Sequence, residues 1–472
     1  MRIGAAVVLC SLFLNSSAIS FAGGREETAL DRYVAAADSN YEYRLLNTVG
    51  GEGYTAHVVE LTSQQWRTPQ EVDRPIWKHW LTIVRPEHVA TGTSLLIVSG
   101  GSNDKPPPQI NPVLTQIASA TASVVSEIRM VPNQPLVFTD DGRKRTEDGI
   151  TVYSWQKFLT TGDETWPIRL PMTKSVVRAM DTITSICASP EGGGTAVDKF
   201  VVAGASKRGW TAWTVAAVDG RVVAIIPAVI DLLNLKASFE HHYRAYGFWA
   251  PAIAEFERSG ITEWANTPRF DELMQIEDPY SYRDRLTIPK YIVNSVGDQY
   301  FQPDSSRFYF DALKGENYLR YVPNTNHSLK GWYADAAEGA VAFYQSILIN
   351  APRPRFAWNF DGTDAIRVKT EAKPETVKLW QARNPDARDF RLQTIGRAFA
   401  SSNLEDQGDG VFVGRVPGGS SGWTAYFIEL TFPSAGRYPF KFTTAIRVSP
   451  DQLPFGPPPQ REASPGNRPA GN

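Results

Sequence analysis

Short apolar runs alternate with amphipathic segments along residues 30–350, and this pattern predicts buried strands that alternate with helices. The apolar runs are bounded by Pro, Gly or charged residues, as is typical of strands buried on both faces. The predicted strands cover residues 81–84, 95–98, 136–138, 200–202, 222–229, 291–296 and 318–322. The predicted helices cover residues 111–122, 172–187, 210–218, 304–313 and 334–349. Such an alternation indicates a doubly wound, mostly parallel sheet of the α/β class.

Two segments depart from the alternation. Residues 41–48 and 54–61 alternate apolar and polar positions on either side of Gly50-Gly51-Glu52-Gly53, which predicts an antiparallel hairpin. Residues 232–285 are rich in aromatic and charged side chains and read as a helical insertion into the α/β domain. An insertion at this position predicts a lid.

The pattern changes to strands alone after the break at Pro352-Arg353-Pro354. Turn signals at Asp361-Gly362, Asn384-Pro385 and Gly418-Gly419 separate the apolar runs. The predicted strands cover residues 366–370, 376–381, 411–416, 424–432 and 440–448. Strands of this number and spacing predict an immunoglobulin-like β-sandwich domain over residues 354–450. The tail over residues 456–472 has too little apolar content to fold, which predicts disorder.

The N-terminus has the pattern of a signal peptide over residues 1–22. Arg2 is followed by an apolar stretch over residues 3–14, and Ser20-Phe21-Ala22 is a small-x-small cleavage signal. We therefore expect an exported protein, periplasmic or secreted; an uncleaved N-terminal anchor is the alternative. No later stretch approaches the roughly 20 apolar residues of a membrane span, so no transmembrane segment is expected in the mature chain.

The balance of charged residues argues against two classes of binding partner. Lys and Arg number 48 and Asp and Glu number 50, a formal net charge of −2, so neither nucleic acid nor an anionic membrane surface is an expected partner. Only Cys187 remains in the mature chain, which leaves no intrachain disulfide. Cys187 lies in an apolar helical pattern and is predicted to be a buried, inert thiol.

The segment Gly204-Ala205-Ser206-Lys207-Arg208-Gly209 follows a predicted strand and precedes a predicted helix. A nucleophile elbow needs a sharp turn at this place, and small residues on either side tolerate its strain. Gly209 stands one residue later than the second glycine of the usual Gly-x-Ser-x-Gly pattern, where Arg208 is found instead. Ser206 is therefore a candidate nucleophile, and an ordinary helix N-cap is the alternative.

Asp298 and His327 complete a candidate triad. Each follows the end of a predicted strand, and the order Ser, Asp, His is that of α/β-hydrolases. The chemistry requires the imidazole to deprotonate Ser206 and the carboxylate to hold the imidazole in the right tautomer. Asp304 competes for the role of the acid, but its place before a predicted helix makes an N-cap its better interpretation.

The oxyanion hole is predicted to use the backbone N–H of Lys207 and one N–H of the loop after residues 95–98. That loop contains Gly101 and Ser102, and its glycines let a backbone approach a substrate. A plain glycine turn is the alternative.

Lys207 and Arg208 are cationic side chains directly after the nucleophile. They either attract a carboxylate on the substrate or pair with acidic residues such as Glu147 and Asp148, and the sequence leaves both open. Arg208 is therefore one candidate substrate-binding residue.

A metal centre is not expected. The chain has no His-Glu-x-x-His segment, and Asp140-Asp141-Gly142 lacks the spacing of an EF-hand. The adjacent His241 and His242 point to different faces of a helix, so they are predicted to line the lid as core or substrate contacts rather than to chelate together. No cofactor is predicted.

Motifs spread over residues 30–450 resemble the PhoPQ-activated pathogenicity-related protein family, which also includes autocrine proliferation repressors. The matching segments are Gly53-Tyr54-Thr55-Ala56, Thr62-Ser63-Gln64-Gln65-Trp66, Val72-Asp73-Arg74-Pro75-Ile76-Trp77, Leu170-Pro171-Met172-Thr173-Lys174, Gly204 to Trp210, Gly297-Asp298-Gln299-Tyr300-Phe301, Tyr321-Val322-Pro323-Asn324 and Arg388-Asp389-Phe390-Arg391. The resemblance implies an α/β-hydrolase core with a C-terminal β-rich domain, and it implies that the spacing of the elbow is a family feature.

These observations predict a serine hydrolase that acts on a small-molecule or peptide substrate through an acyl-Ser206 intermediate. An ester is favoured over an amide. Two alternatives remain open: a peptidase that degrades host-defence peptides, as the phenotypes implied by the family would suit, and a non-catalytic signalling protein on a hydrolase scaffold.

Overall fold

A computed structural model describes residues 26–417 and 421–459 of the 472-residue chain. The predicted signal peptide, residues 1–22, and most of the predicted disordered tail lie outside the described residues. Within the described ranges, no helix combines the length and the apolar character that crossing a membrane requires.

The central sheet is mostly parallel. Its strands are β1 (Glu42–Gly51), β2 (Tyr54–Gln65), β3 (Ile76–Pro86), β4 (Thr93–Val98), β5 (Val125–Ile128), β8 (Lys199–Ala205), β9 (Val222–Ala228), β10 (Lys290–Ser295) and β11 (Asn317–Val322); β6 (Leu136–Val137) and β7 (Lys144–Arg145) form a separate ribbon. The spatial order is β1-β2-β3-β5-β4-β8-β9-β10-β11, parallel from β5 to β11 and antiparallel from β1 to β5. This is the α/β-hydrolase fold, as the sequence predicted, and the hairpin of β1 and β2 is also confirmed.

Helices cover the sheet and build the insertion. They are α1 (Ala29–Ala35), α2 (Pro112–Thr121), α3 (Glu147–Thr161), α4 (Arg169–Ala188), α5 (Lys207–Val218), α6 (Leu235–Tyr246), α7 (Ala254–Arg258), α8 (Pro268–Glu277), α9 (Tyr333–Leu348) and the short α10 (Leu392–Ile395). Helices α6, α7 and α8 lie within residues 232–285, so the predicted insertion is indeed helical. Parallel strands place their carboxyl ends at one edge, where the loops after β4, β8, β10 and β11 meet.

The helix predicted over residues 304–313 is wrong. The segment forms two 3₁₀ turns, Ser305–Phe308 and Phe310–Ala312, and the backbone of Tyr309 leaves the helical region with φ −143°. The side chains of Asp304 and Tyr309 bind buried partners on different elements, Arg388 and Asp231. These two anchors hold the chain in a path that a continuous helix does not follow.

The C-terminal strands form the predicted β-sandwich. They are β12 (Phe356–Asp361), β13 (Ala365–Thr370), β14 (Thr376–Asn384), β15 (Ala400–Asn403), β16 (Val411–Arg415), β17 (Trp423–Phe432), β18 (Phe440–Thr443) and β19 (Arg447–Ser449). The sheet β12-β13-β16 packs through Ile366, Val368 and Phe412 against Leu379 and Ile428 of the other sheet.

The second sheet of the sandwich continues the central sheet. Strand β18 pairs antiparallel with β11 through Leu319 and Thr443, which joins fourteen strands of the described residues into one sheet. Arg320 on β11 is buried between Glu429 on β17 and Asp335 on α9. The sequence predicted a β-sandwich but not this junction, which brings residues beyond 350 close to the loops of the candidate site.

Candidate active site

Ser206 lies on a strained turn between β8 and α5. Its φ of 57° and ψ of −129° are unfavourable for a residue with a side chain. A Cβ atom on Gly204 would come within 2.5 Å of the Arg208 carbonyl oxygen, and one on Gly209 within 2.8 Å of the Gly204 carbonyl oxygen. The end of the strand and the first turn of the helix therefore touch through backbone alone. Gly209 supplies this contact, which is the physical reason for the unusual spacing of the elbow.

The structure brings Ser206, His327 and Asp298 into one chain of hydrogen bonds. The Ser206 Oγ lies 2.9 Å from His327 Nε2, and His327 Nδ1 lies 2.8 Å from Asp298 Oδ2. A proton on Nδ1 donates to the carboxylate and leaves Nε2 free to accept the serine hydroxyl. The backbone N–H of Tyr300 donates to Asp298 Oδ1 at 2.8 Å, which fixes the carboxylate.

Asp304 lies in a different cluster. Its carboxylate accepts from Arg388 Nη2 at 2.6 Å and lies 3.0 Å from His241 Nε2. Burial opposes its ionisation, but the charges of His241 and Arg388 outweigh this and hold the pKa of Asp304 well below its usual value. Asp304 stands at the N-cap position of the turn Ser305–Phe308, as predicted, but its side chain makes no capping hydrogen bond, and its carboxylate is held by the ion pair instead.

A segment of the C-terminal domain, residues 388–399, braces the loops that carry Asp298 and His327. The Leu392 N–H donates to the Gly297 carbonyl at 3.0 Å, next to Asp298. The side chain of Asn324, near His327, exchanges two hydrogen bonds with the backbone of Phe399 at 2.9 and 3.0 Å. Sequence reasoning missed this role. The available signal was the segment Arg388-Asp389-Phe390-Arg391 among the motifs of the resemblance.

The loop after β4 is held by its carbonyl groups. The Gly100 carbonyl accepts from Met130 N–H at 3.0 Å, and the Gly101 carbonyl accepts from Gln134 Nε2 at 3.0 Å. Among the residues that the structure describes, neither the Gly101 nor the Ser102 amide donates to an acceptor. Lys207 is the first residue of α5, so its N–H also has no acceptor within the helix.

Arg208 is paired with an acid rather than exposed to a substrate. Its guanidinium makes a two-pronged contact with Glu147 at 2.7 and 2.9 Å, and Lys207 Nζ pairs with Asp148. Burial opposes ionisation of Glu147, yet the hydrogen bonds and charge of Arg208 lower its pKa to about 2. Of the two roles that the sequence left open for Arg208, the structure shows the pairing with an acid. The guanidinium also lies against Gly100, beside the predicted oxyanion loop.

A narrow cavity with a mostly apolar lining adjoins Ser206. The helical insertion supplies much of its wall, through Leu232, Leu235, Ser238, Phe239, His242, Ile253 and Phe256. Trp210, Tyr300 and Phe301 line another part of the wall, and Asp148 and Lys207 also line the cavity.

The two adjacent histidines have different surroundings. His242 lines the cavity, and its Nε2 accepts the Ala250 N–H at 3.0 Å; burial lowers its pKa to about 3, so the ring is neutral. His241 does not line the cavity but is buried against Asp304, so of the two predicted roles, core or substrate contact, the structure shows the core role. Within the described residues no group of His, Cys, Asp and Glu is arranged to hold a metal ion.

Comparison with known proteins identifies the same family that the sequence motifs resemble. The family model described as "PhoPQ-activated pathogenicity-related protein" matches residues 30–391. The chain belongs to this family. Autocrine proliferation repressor protein A of Dictyostelium discoideum is 37% identical over 457 residues, which cover 91% of this chain and 92% of that protein.

Several solved structures have a fold similar to that of the present chain. An acetyl xylan esterase from Paenibacillus sp. R4 is 15% identical with a TM-score of 0.47, covering 66% of this chain and 91% of that one. Acetyl Xylan Esterase 1 from Thermoanaerobacterium sp. JW/SL YS485 is 14% identical with a TM-score of 0.45, covering 67% and 91%. A glucuronoyl esterase from Solibacter usitatus is 13% identical with a TM-score of 0.39, covering 66% and 87%.

Asp231 is a buried carboxyl group near the site that sequence reasoning missed. It follows β9 and accepts hydrogen bonds from Tyr309 Oη at 2.6 Å and Tyr321 Oη at 2.7 Å. Burial raises its pKa to about 7, against the two phenol hydrogen bonds, and the charges of Asp298 and Asp304 act in the same direction as burial.

Replacement of Asp231 by Asn is expected to flatten the pH dependence of stability. A carboxyl group whose pKa is raised on folding stabilises the protein fully below its unfolded pKa, near 4, and loses this contribution as the pH rises through about 7. Each unit of the shift corresponds to about 1.4 kcal/mol. Urea unfolding at pH 5, 6.5 and 8 should therefore show Asp231→Asn gaining stability relative to the wild-type chain as the pH rises. The exposed Asp284→Asn is the control, and identical pH profiles for wild type and Asp231→Asn would refute the expectation.

Proposed function

We propose that this protein is an exported serine hydrolase that cleaves a carboxylic ester through an acyl-Ser206 intermediate. The observation that carries the proposal is the hydrogen-bond chain from Ser206 through His327 to Asp298, with distances of 2.9 and 2.8 Å. Export rests on the signal-peptide pattern of residues 1–22.

The proposed reaction follows from this geometry. His327 Nε2 takes the proton of Ser206 as its Oγ attacks the ester carbonyl, and Asp298 stabilises the imidazolium that forms. The N–H of Lys207, with that of Gly101 or Ser102, stabilises the oxyanion. The imidazolium then protonates the leaving alcohol. A water molecule, deprotonated in turn by His327, attacks the acyl-Ser206 carbonyl and releases the acid.

The surroundings of Ser206 favour an ester over a cationic host-defence peptide. A cationic peptide needs unpaired acids near the nucleophile, whereas Glu147 and Asp148 are already neutralised by Arg208 and Lys207. The adjoining cavity is narrow and mostly apolar, which suits a compact acyl group.

Labelling with a fluorophosphonate probe tests the proposal. We expect the wild-type protein to be labelled in a one-to-one ratio and Ser206→Ala to remain unlabelled, because the probe reacts with a serine that a neighbouring base has activated. Ser401→Ala, on the exposed strand β15, is the matched control and should be labelled like the wild type. A folded wild-type protein that takes up no label, or a Ser206→Ala variant that does, would show that Ser206 is not the nucleophile. In the first case the non-catalytic alternative would stand.

A further inference from the structure

A polar groove lies next to the cavity that adjoins Ser206. It has a volume of about 760 Å³ and runs between residues 143–149, the following turns of α3, and α7 of the helical insertion. Asp148 lines both the groove and the cavity, so the two spaces are neighbours. We call this space the α3–α7 groove. Its wall contains the polar side chains of Thr146 and Gln156, whereas the wall of the cavity is mostly apolar.

The cavity itself has room for a short acyl group and no more. Its enclosed volume is about 50 Å³. Since one water molecule needs roughly 10–15 Å³, about three to five non-hydrogen atoms fit, as in an acetyl or propionyl group. Phe256 is wedged between Trp155 and Phe239, with ring centroids 5.5 and 6.3 Å apart, so the close-packed wall does not widen easily.

The alcohol part of the ester therefore lies outside the cavity. The acyl group stays bound to Ser206 after the alcohol has left, and water must then reach the acyl carbon through the space that the alcohol vacated. An enclosed cavity suits the part that stays, and an open groove suits the part that leaves. The α3–α7 groove is a neighbouring space large enough for a bulky alcohol.

The α3–α7 groove carries two cations that no acid neutralises. The acidic side chains in its wall are all paired with cations: Glu147 with Arg208, Asp148 with Lys207 and Glu255 with Arg258. Arg145 is paired with Asp141. Arg143 and Lys144 are exposed in the groove, and neither makes an ion pair within the described part of the chain. The groove therefore presents a net positive charge to a ligand.

We propose that the α3–α7 groove binds the alcohol part of the ester, and that this part is an acidic saccharide whose negative groups contact Arg143 and Lys144. The inference rests on the proposed function, because the esterified hydroxyl must reach Ser206. A saccharide is the class of alcohol that supplies many hydroxyl groups for a polar wall and also carries carboxylates, which Arg and Lys bind.

The reaction on such a substrate balances without a further reactant besides water. The bond from Ser206 Oγ to the acyl carbon forms, the ester C–O bond breaks, and the serine proton passes through His327 to the saccharide hydroxyl. Water then adds to the acyl carbon and releases the short acid. Arg143 and Lys144 take no part in these steps; they select the alcohol.

Matched acetylated tetrasaccharides test the selection. The probes are acetylated tetragalacturonate and acetylated galactotetraose, which differ in having a carboxylate or a hydroxymethyl group on each sugar. At low salt the wild-type kcat/KM for acetate release should be about fivefold or more higher for the galacturonate, since two exposed ion pairs contribute modestly. In about 1 M NaCl the ratio should approach one, because the Debye length is then only about 3 Å. A ratio at or below one at low salt would overturn the proposal.

The double variant Arg143→Gln/Lys144→Gln removes the two unpaired cations. The galacturonate-to-galactose ratio should fall to about one at low salt. The control is Arg367→Gln/Lys369→Gln, which removes two exposed cations from β13 of the C-terminal domain and makes the same change in net charge. It should keep the wild-type ratio. A preference that survives the loss of Arg143 and Lys144, or that the control variant also loses, would refute the role of the groove.

Two further measurements separate this inference from the proposed function. Hydrolysis of p-nitrophenyl acetate by the wild type and not by Ser206→Ala reports the nucleophile alone, since this ester carries no saccharide. Calorimetric binding of unacetylated tetragalacturonate and galactotetraose to the Ser206→Ala protein reports the groove without turnover. Tighter binding of the galacturonate, abolished when Arg143→Gln and Lys144→Gln are added, supports the inference. Equal or weaker binding of the galacturonate contradicts it, even where p-nitrophenyl acetate is hydrolysed.

Discussion

The Asp298→Asn variant is expected to hydrolyse p-nitrophenyl acetate with a kcat about 10⁴-fold below that of the wild type. The Tyr300 N–H donates to Asp298 Oδ1, and an Asn at this position would keep its oxygen there. Its NH₂ group would then face His327 Nδ1, which lies 2.8 Å from the present Oδ2. The imidazole would have to accept at Nδ1 and carry its proton on Nε2, so it could no longer accept the proton of Ser206.

Steady-state kinetics, with circular dichroism to check folding, measure this effect. The matched variant is Asp304→Asn, which makes the same change in the competing acid. Asp304 is paired with Arg388 and His241 instead of His327, so its loss should lower stability and reduce the kcat of the folded protein much less than the loss of Asp298 does. A greater kcat loss for Asp304→Asn would reverse the assignment of the acid.

Replacement of Arg388 by Met is expected to lower the free energy of unfolding by about 3 kcal/mol or more. The Arg388 side chain is 1% exposed and pairs with Asp304, which is 2% exposed, at 2.6 Å. Removal of the guanidinium leaves a buried carboxylate and His241 with fewer partners, and a buried charge that loses its partner is costly. The effect should be large although Arg388 belongs to the C-terminal domain.

Urea unfolding of Arg388→Met beside Arg415→Met provides the comparison. Arg415 pairs with Asp364 at 2.9 Å, but the two side chains are 58% and 34% exposed. Solvent screens such a pair, so Arg415→Met should change stability by about 1 kcal/mol or less. If the two variants were equally stable, the cluster around Asp304 would not brace the structure.

The α/β-hydrolase fold could be predicted from the sequence because each buried strand is a contiguous apolar run. Residues 95–98 and 291–296, for example, were predicted within a residue or two of β4 and β10. The helix over residues 304–313 was wrong since its local pattern does not record that Tyr309 binds Asp231, 78 positions away. Strand β12 was missed, and the junction of β11 with β18 was not foreseen, because strand pairing depends on neighbours that are distant in the chain.

For the candidate site, too, some features could be predicted from the sequence and others could not. The positions of Ser206, Asp298 and His327 after strand ends were readable locally, and parallel strands must bring such loops to one edge. The acidic partner of Arg208 could not be predicted from the sequence, because the pairing residue, Glu147, lies 61 positions away in the chain.

The class of fold, a candidate elbow at Ser206 and the chain order of Ser206, Asp298 and His327 could be predicted from the sequence, because apolar periodicity, glycine spacing and strand ends are local properties of the chain. Three features depend on tertiary packing: Asp298 rather than Asp304 faces His327, Arg208 pairs with Glu147, and the C-terminal domain shares the central sheet. Each of these outcomes depends on which buried charges and strand edges meet, and that is set by the packing of segments far apart in sequence.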